Sequence, residues 1–242
     1  LCRDWSSDVC SSDLNLICTI DEGETYAIII SSLGGMTVRE AEHLNELQLQ
    51  KIYFLVGELT STMHKTFLGR YFGRPDNEGN PIEIYCHNDP VVYFQESIHN
   101  SIHKGAEMGI YTEHEIKLSE WALRNAGMFK GTKPRAVSWD SSPNNWIVND
   151  KGEFVGLIDF ENMLWGFEED NFFILYERYF PNYPKVEIAY FKGYGENVPT
   201  DRADHIKAIC IKAAISSILW GETVKDERSI RLAHGLLSTI RI

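Results

Sequence analysis

The sequence predicts an α+β fold: a short β-hairpin near the N-terminus, then a mainly helical body that carries a second hairpin. Three observations predict it. β-Rich runs at Asn15 to Ile20 and Tyr26 to Ser31 flank a turn-forming Asp-Glu-Gly-Glu. Apolar residues recur at helical spacing over most of the chain after Gly35. The strands Trp146 to Val148 and Phe154 to Ile158 are separated by a Lys-Gly turn.

The elements follow in order. Leu33-Gly34-Gly35 breaks the first hairpin. Thr37 with Glu40 three residues on has the form of a capping box, which predicts a helix start. From there to about Phe67, Leu44, Leu47, Leu49, Ile52, Leu55, Val56, Leu59 and Met63 fit one or two helices. Tyr71 to Pro81 is rich in Gly, Pro, Asn and Asp and reads as a loop. The segment after Pro90 to about Gly109 reads as helical, as does Glu113 to Ala126, closed by Gly127. Further helices are expected at Asn171 to Phe180, Lys185 to Tyr194, Arg202 to Trp220 and Asp226 to Ile240.

Composition sets bounds on function. A net charge of −12 argues against nonspecific nucleic-acid binding, which needs clustered Lys and Arg. It is compatible with a cationic small-molecule partner. No apolar run has the length of a membrane span. Residues 1–14 show no periodicity or capping logic, and Asp4 to Leu14 reads as the translation of a sequencing-library adapter. We therefore expect three segments: 1–14 as an adapter-derived artefact, 15–33 as the remnant of an N-terminal lobe and hinge, and 34–242 as a C-terminal helical lobe. On that reading the natural frame continues upstream. The remaining cysteines, Cys18, Cys86 and Cys210, have no paired or metal-like spacing, which suggests a reducing cytoplasm.

The chemistry concentrates between residues 138 and 166. A loop carries Asp140 and, five residues on, Asn145; strand, turn and strand then deliver Asp159. One carboxylate can orient a hydroxyl, while an amide oxygen and a second carboxylate can hold Mg²⁺ beside nucleotide phosphates. The alternative is a hairpin whose Asp and Asn only form turns.

Asp140, Pro143 and Asn145 fall on the last three fixed positions of the loop H-G-D-x-x-P-x-N, and Ile158-Asp159-Phe160-Glu161 fits the metal motif I-D-F/W-E/D. Leu164-Trp165-Gly166 follows, Met63-His64 ends a predicted helix, and Phe191-Lys192-Gly193 lies near the C-terminal helices. In these features the chain resembles the aminoglycoside phosphotransferase and choline-kinase group of the protein-kinase-like superfamily. The resemblance implies a kinase-like fold and transfer of a γ-phosphoryl group from ATP or GTP to a hydroxyl of a small molecule. It implies Asp140 as the base, Asn145 and Asp159 as Mg²⁺ ligands, and Glu161 as a further carboxylate. It also implies Ile30, Ser31, Ser32 and Leu33 as the hinge against which the nucleotide base docks.

The chain departs from the pattern in places. Ser138 and Trp139 stand where the motif has His and Gly, which brings the loop's architecture into question. Asp170 or Asn171 must take the supporting role of an expected Asp. No glycine-rich nucleotide loop or phosphate-gripping Lys can be assigned, and Gly193-Tyr194-Gly195 is no substitute. The other reading is therefore a catalytically silent kinase-like protein that binds a nucleotide or partner.

Some features look like decoys. His87-Asn88-Asp89 resembles H-x-D, but Phe94 stands where Asn would be needed. His99, His103 and His114 lack a completing ligand and read as a solvated helical face. Glu168, Glu169 and Asp170 read as a solvated loop or as the lining of a cleft for an ammonium group. Phe172, Phe173, Tyr176, Tyr179 and Phe180 read as core rather than an aromatic cage.

Overall fold

The computed structural model describes residues 16–21, 26–30, 34–76, 79–82, 86–160 and 162–242. The N-terminal hairpin forms as expected: β1 (Leu16–Asp21) pairs antiparallel with β2 (Tyr26–Ile30), with Ile20 opposite Ala27 and a bulge between Leu16 and Cys18. β3 is the short Met36–Thr37 strand. It begins immediately after Gly35, whose φ of 129° and contact with the Val148 carbonyl leave no room for a side chain.

The Thr37–Glu40 pair corrects one expectation. Its reciprocal hydrogen bonds do form: Glu40 N donates to Thr37 Oγ1 at 3.2 Å, and Thr37 N donates to Glu40 Oε2 at 3.1 Å. They close a turn rather than start a helix, because Val38 N and Arg39 N donate to the carbonyls of Trp146 and Pro143 and tie this segment to another part of the chain. Helix α1 (Glu46–Thr66) begins later, with a full capping box between Asn45 and Gln48.

Local signals place the next helices. α2 (Pro90–Met108) has Asp89 as N-cap, Pro at its first position and Gly109 in the left-handed conformation after its end. α3 (Glu113–Arg124) starts with a Thr112–Glu115 capping box and stops two residues short of the predicted end, giving way to a 3₁₀ turn at Ala126–Phe129.

Four strands then arrive in two pairs. β4 (Arg135–Ser138) pairs antiparallel with β7 (Met163–Gly166), and β5 (Trp146–Val148) pairs antiparallel with β6 (Phe154–Leu157). β3 adds to the outer edge of β5, with Met36 opposite Val148. The sequence pattern had shown β5 and β6, which a turn joins directly, but not β4 and β7, which pair across the segment that carries the other two.

The expected helix from Asn171 to Phe180 is broken into a 3₁₀ turn (Glu168–Phe172), α4 (Phe173–Arg178) and a second 3₁₀ turn (Phe180–Asn182). Side chains cause the break at its start: Asp170 Oδ2 accepts from Phe167 N at 2.9 Å and draws the chain into a tighter turn. Pro181 disrupts the helical ladder at the other end. α5 (Pro184–Tyr194), the single-turn α6 (Val198–Asp201), α7 (Ala203–Val224) and α8 (Glu227–Thr239) complete the chain.

The core is continuous and helical. α1 and α5 pack at close range because each presents a glycine to the other's backbone. A Cβ on Gly57 would meet the Tyr190 carbonyl, and one on Gly193 the Phe54 carbonyl, both at 2.1 Å. Gly193 is thus a packing residue, consistent with its exclusion as a nucleotide loop. α7 runs through the centre, burying Ile209, Ile211, Ile215 and Ile218. Phe94, Phe129 and Phe167 stack beside it, while Phe172 and Phe180 pack against Tyr190 and Phe191, as expected for core aromatics. No helix among the described residues is long and apolar enough to cross a membrane.

Candidate active site

Strand register explains why residues from two separate motifs meet. β4 leads into the loop 139–145, which enters β5. β6 leads into the loop 158–162, which enters β7. Ser138 at the end of β4 pairs with Met163 at the start of β7, and Trp146 at the start of β5 pairs with Leu157 at the end of β6. Both loops therefore cross between the same two strand pairs at the same end. The first carries Asp140 and Asn145, the second Asp159.

Hydrogen bonds hold this arrangement. Asn145 Nδ2 donates to the Asp140 carbonyl at 2.9 Å, Asn145 N to the Ser142 carbonyl at 2.8 Å, and Ile158 N to the Asn145 carbonyl at 2.9 Å. The last of these ties the two loops together. Arg39 adds a clamp from the segment after β3, its Nη1 donating to Asn144 Oδ1 at 3.0 Å. Asn145 is buried and Asp159 exposed, and both line a cavity of about 20 Å³ with Thr60, Ser141, Phe160 and Asn171. With Nδ2 committed to the loop, Oδ1 is the Asn145 atom suited to a cation. An amide oxygen and a carboxylate on one cavity are hard donors of the kind Mg²⁺ takes alongside phosphate oxygens and water.

The backbone of Asp159 is also unusual. Its φ is +63°, a left-handed conformation uncommon for a residue with a side chain.

Ser138 answers the question raised by the missing motif histidine. It is buried, and its Oγ accepts from Asp140 N at 3.3 Å, so the serine itself supports the loop. Its carbonyl accepts from Asn171 Nδ2 at 3.2 Å. Asn171 Oδ1 in turn lies 2.9 Å from His64 Nε2, and His64 Nδ1 lies 2.8 Å from the Tyr194 hydroxyl. Since Asn171 donates through its nitrogen, His64 must donate through Nε2. Burial lowers the His64 pKa to about 4, so the imidazole is neutral, and the Tyr194 hydroxyl lies between its Nδ1 and the Glu168 carboxylate, which accepts from that hydroxyl at 3.2 Å. Both Asp170 and Asn171, the alternatives for the supporting role, are used: Asp170 shapes the turn and Asn171 holds the loop.

A consequence is testable by pH. The folded His64 pKa lies below the ordinary value of 6.5, so between pH 6.5 and 4 the unfolded chain takes up a proton that the buried imidazole refuses. Stability from this group is intact above pH 6.5 and falls as pH drops toward 4, by on the order of 3 kcal/mol. Urea unfolding at pH 7, 6 and 5 should show a shallower loss for His64→Gln than for the unmodified protein. Equal slopes would mean that His64 is not held neutral.

The acidic run 168–170 is neither a solvated loop nor a free cleft lining. Glu168 bonds Arg202 and lies 3.2 Å from Arg135 Nε. Burial pushes its carboxyl up, but the bond and charge of Arg202, with His64 and Arg135, outweigh that and hold it below the usual range. Glu169 is buried 3.3 Å from Arg202, and burial raises its pKa. Asp170 pairs with Lys212 at 2.6 Å, with both side chains buried. The sequence reading missed Lys212, although a lone Lys inside Ile209-Cys210-Ile211-Lys212-Ala213-Ala214-Ile215 was a visible signal.

The decoys have structural roles. Asp89 caps α2, accepting from Val91 N and Val92 N, and His87 pairs with Glu96 at 3.0 Å. His99, His103 and His114 are exposed, and no group of three or more His, Cys, Asp or Glu that could hold a metal occurs among the described residues. Ser31, Ser32, Leu33 and Glu161 lie outside the described residues, as does the side chain of Ile30.

Comparison with solved structures gives the fold. The chain superimposes on a thermostable mutant of aminoglycoside phosphotransferase APH(4)-Ia, in ternary complex with AMP-PNP and hygromycin B, with a TM-score of 0.74 at 13% identity, covering 98% of this chain and 78% of that one. It also matches the gentamicin complex of APH(2")-IIa, with a TM-score of 0.62 at 16% identity, covering 96% of this chain and 76% of that one. ADP-bound APH(2'')-Ib matches with a TM-score of 0.57 at 19% identity, covering 95% and 77%. No family model matches the sequence, and no curated protein matches it. The α+β fold, with its helical body and small antiparallel sheets, is the kinase-like fold of the aminoglycoside phosphotransferases.

Proposed function

We propose that this chain, built on the aminoglycoside phosphotransferase fold, transfers the γ-phosphoryl group of ATP or GTP to a hydroxyl of a small molecule. The observation that carries the reading is the pair of crossing loops. Their register brings Asn145 and Asp159 to one cavity, while Asn145 is bonded to the backbone of Asp140.

The roles follow from the groups present. Asp140 accepts a hydrogen bond from the acceptor hydroxyl, orients its oxygen in line with the γ-phosphorus, and takes the proton as the new P–O bond forms and the bond to the leaving diphosphate breaks. Asn145 Oδ1 and the Asp159 carboxylate would hold Mg²⁺. The ion, when bound, offsets charge on the phosphate oxygens. Arg39 and Ser138 hold the loop at its two ends and keep Asp140 from drifting. Ile30, Ser31, Ser32 and Leu33 remain our assignment for the nucleotide base, on the resemblance of that stretch to a kinase hinge.

The acceptor class is a hydroxylated small molecule: an aminoglycoside, an amino-alcohol, a sugar or a homoserine-like compound. Two of the solved neighbours are complexes with gentamicin and hygromycin B, and the acidic balance of this chain suits a cationic acceptor. The test is nucleotide consumption by the protein with Mg²⁺, screened against those classes. Acceptor-dependent formation of nucleoside diphosphate is the expected result. Nucleotide binding with no turnover on any class would favour the catalytically silent alternative.

A further inference from the structure

Lys212 lies on the strongly apolar helix α7, and its side chain is buried. Its Nζ is 2.6 Å from Asp170 Oδ1 and within 5.5–5.9 Å of the ring centres of Phe167, Tyr93 and Trp139. A buried ion pair is costly to desolvate, and an apolar pair of similar volume often serves stability as well or better. Its retention in α7 calls for a role that a leucine there could not fill.

The contacts of the pair supply one. Trp139 directly precedes Asp140 and is 46% exposed, and Lys212 Nζ lies over its ring within cation–π range. The second route runs through Asp170. Its Oδ2 fixes Phe167 N, and the adjoining Asn171 donates to the Ser138 carbonyl, one residue before Trp139. One ammonium group thus reaches both residues that lead into the catalytic loop. It also accounts for a Trp where a Gly was expected, because the ring has a seat.

We infer that Lys212 is a positioning residue for the loop, pinning Trp139 directly and Ser138 through Asp170 and Asn171. Its catalytic consequence rests on the phosphotransferase reading, but its effect on loop order does not. The test is amide hydrogen exchange on the full chain, comparing the unmodified protein with the double variant Lys212→Met, Asp170→Asn. The double variant removes both charges together, and the Asn oxygen can still accept from Phe167 N.

The expected result is exchange about ten-fold faster at residues 139–145, with the thermal midpoint and the exchange of β5 and β6 unchanged. Unchanged loop exchange in the folded double variant would overturn the inference. Should that variant not fold, Trp139→Leu leaves the ion pair in place. It should speed exchange at 139–141, and unchanged protection there would overturn the inference equally. In an active enzyme the double variant should lower kcat with the nucleotide KM unchanged, a split that simple loss of stability does not produce. A loosened loop in a protein without acceptor-dependent turnover leaves the pin standing and removes the phosphotransferase reading. An unchanged loop in an active enzyme does the reverse.

Discussion

Asp140→Ala is expected to lower kcat for phosphoryl transfer by between about a hundred- and ten-thousand-fold, the range over which a positioned acid or base contributes. The nucleotide KM should stay close to that of the unmodified enzyme. The reason is where the side chain stands. The Asp140 backbone is fixed by Ser138 Oγ and Asn145 Nδ2, neither of which needs its carboxylate. Truncation to Ala therefore removes the carboxylate while leaving both tethers and the cavity that Asn145 and Asp159 line, to which Asp140 does not contribute. Steady-state kinetics on an identified acceptor, with nucleotide affinity measured separately, checks this. Turnover within a few-fold of the unmodified enzyme would remove Asp140 from the base role.

Asp159→Asn is expected to have the second large effect, through the metal rather than the proton. Asn tolerates the left-handed backbone at φ +63° as readily as Asp does, so the substitution changes charge without adding strain. An Ala at that position would confound the two. Loss of even an outer-sphere partner costs a metal site about 10- to 100-fold in affinity, and a direct carboxylate should cost at least as much. The Mg²⁺ dependence of nucleotide binding should shift to higher concentration accordingly, with the unfolding temperature unchanged. A Mg²⁺ titration that overlays that of the unmodified protein would mean that Asp159 is not a ligand.

These two results separate because the two carboxylates sit on different loops, and that division was only partly visible in the sequence. Asp140, Asn145 and Asp159 could be picked out because motif chemistry depends on residue type and short spacing. The helices expected after Pro90, from Glu113 and from Asp226 do form, and each starts at a cap, Asp89, Thr112 or Asp226, that bonds to backbone within three residues of itself. Thr37 shows the limit of that logic. Its capping bonds formed, yet the helix did not, since Val38 and Arg39 are bonded to Trp146 and Pro143 more than a hundred residues away. β4 and β7 escaped notice because no turn joins them: they pair across the whole segment that carries β5 and β6, whereas the equally short β5 and β6 are marked by the Lys-Gly turn between them.

The charged residues 168–170 misled in the other direction. Acidic runs are usually solvated, and only packing placed Arg135, Arg202 and Lys212 against this one. The crossing loops teach the same lesson about the site itself. By itself the sequence determined which groups could do the chemistry, an Asp for a proton and an Asn and an Asp for a cation, since that is a property of side chains. Only the tertiary structure decided that they share one end of two strand pairs, that a serine supports the loop where a histidine was expected, and that a lysine buried in α7 lies beneath Trp139. Those outcomes depend on strand register and helix packing between residues far apart in the chain, which no local pattern encodes.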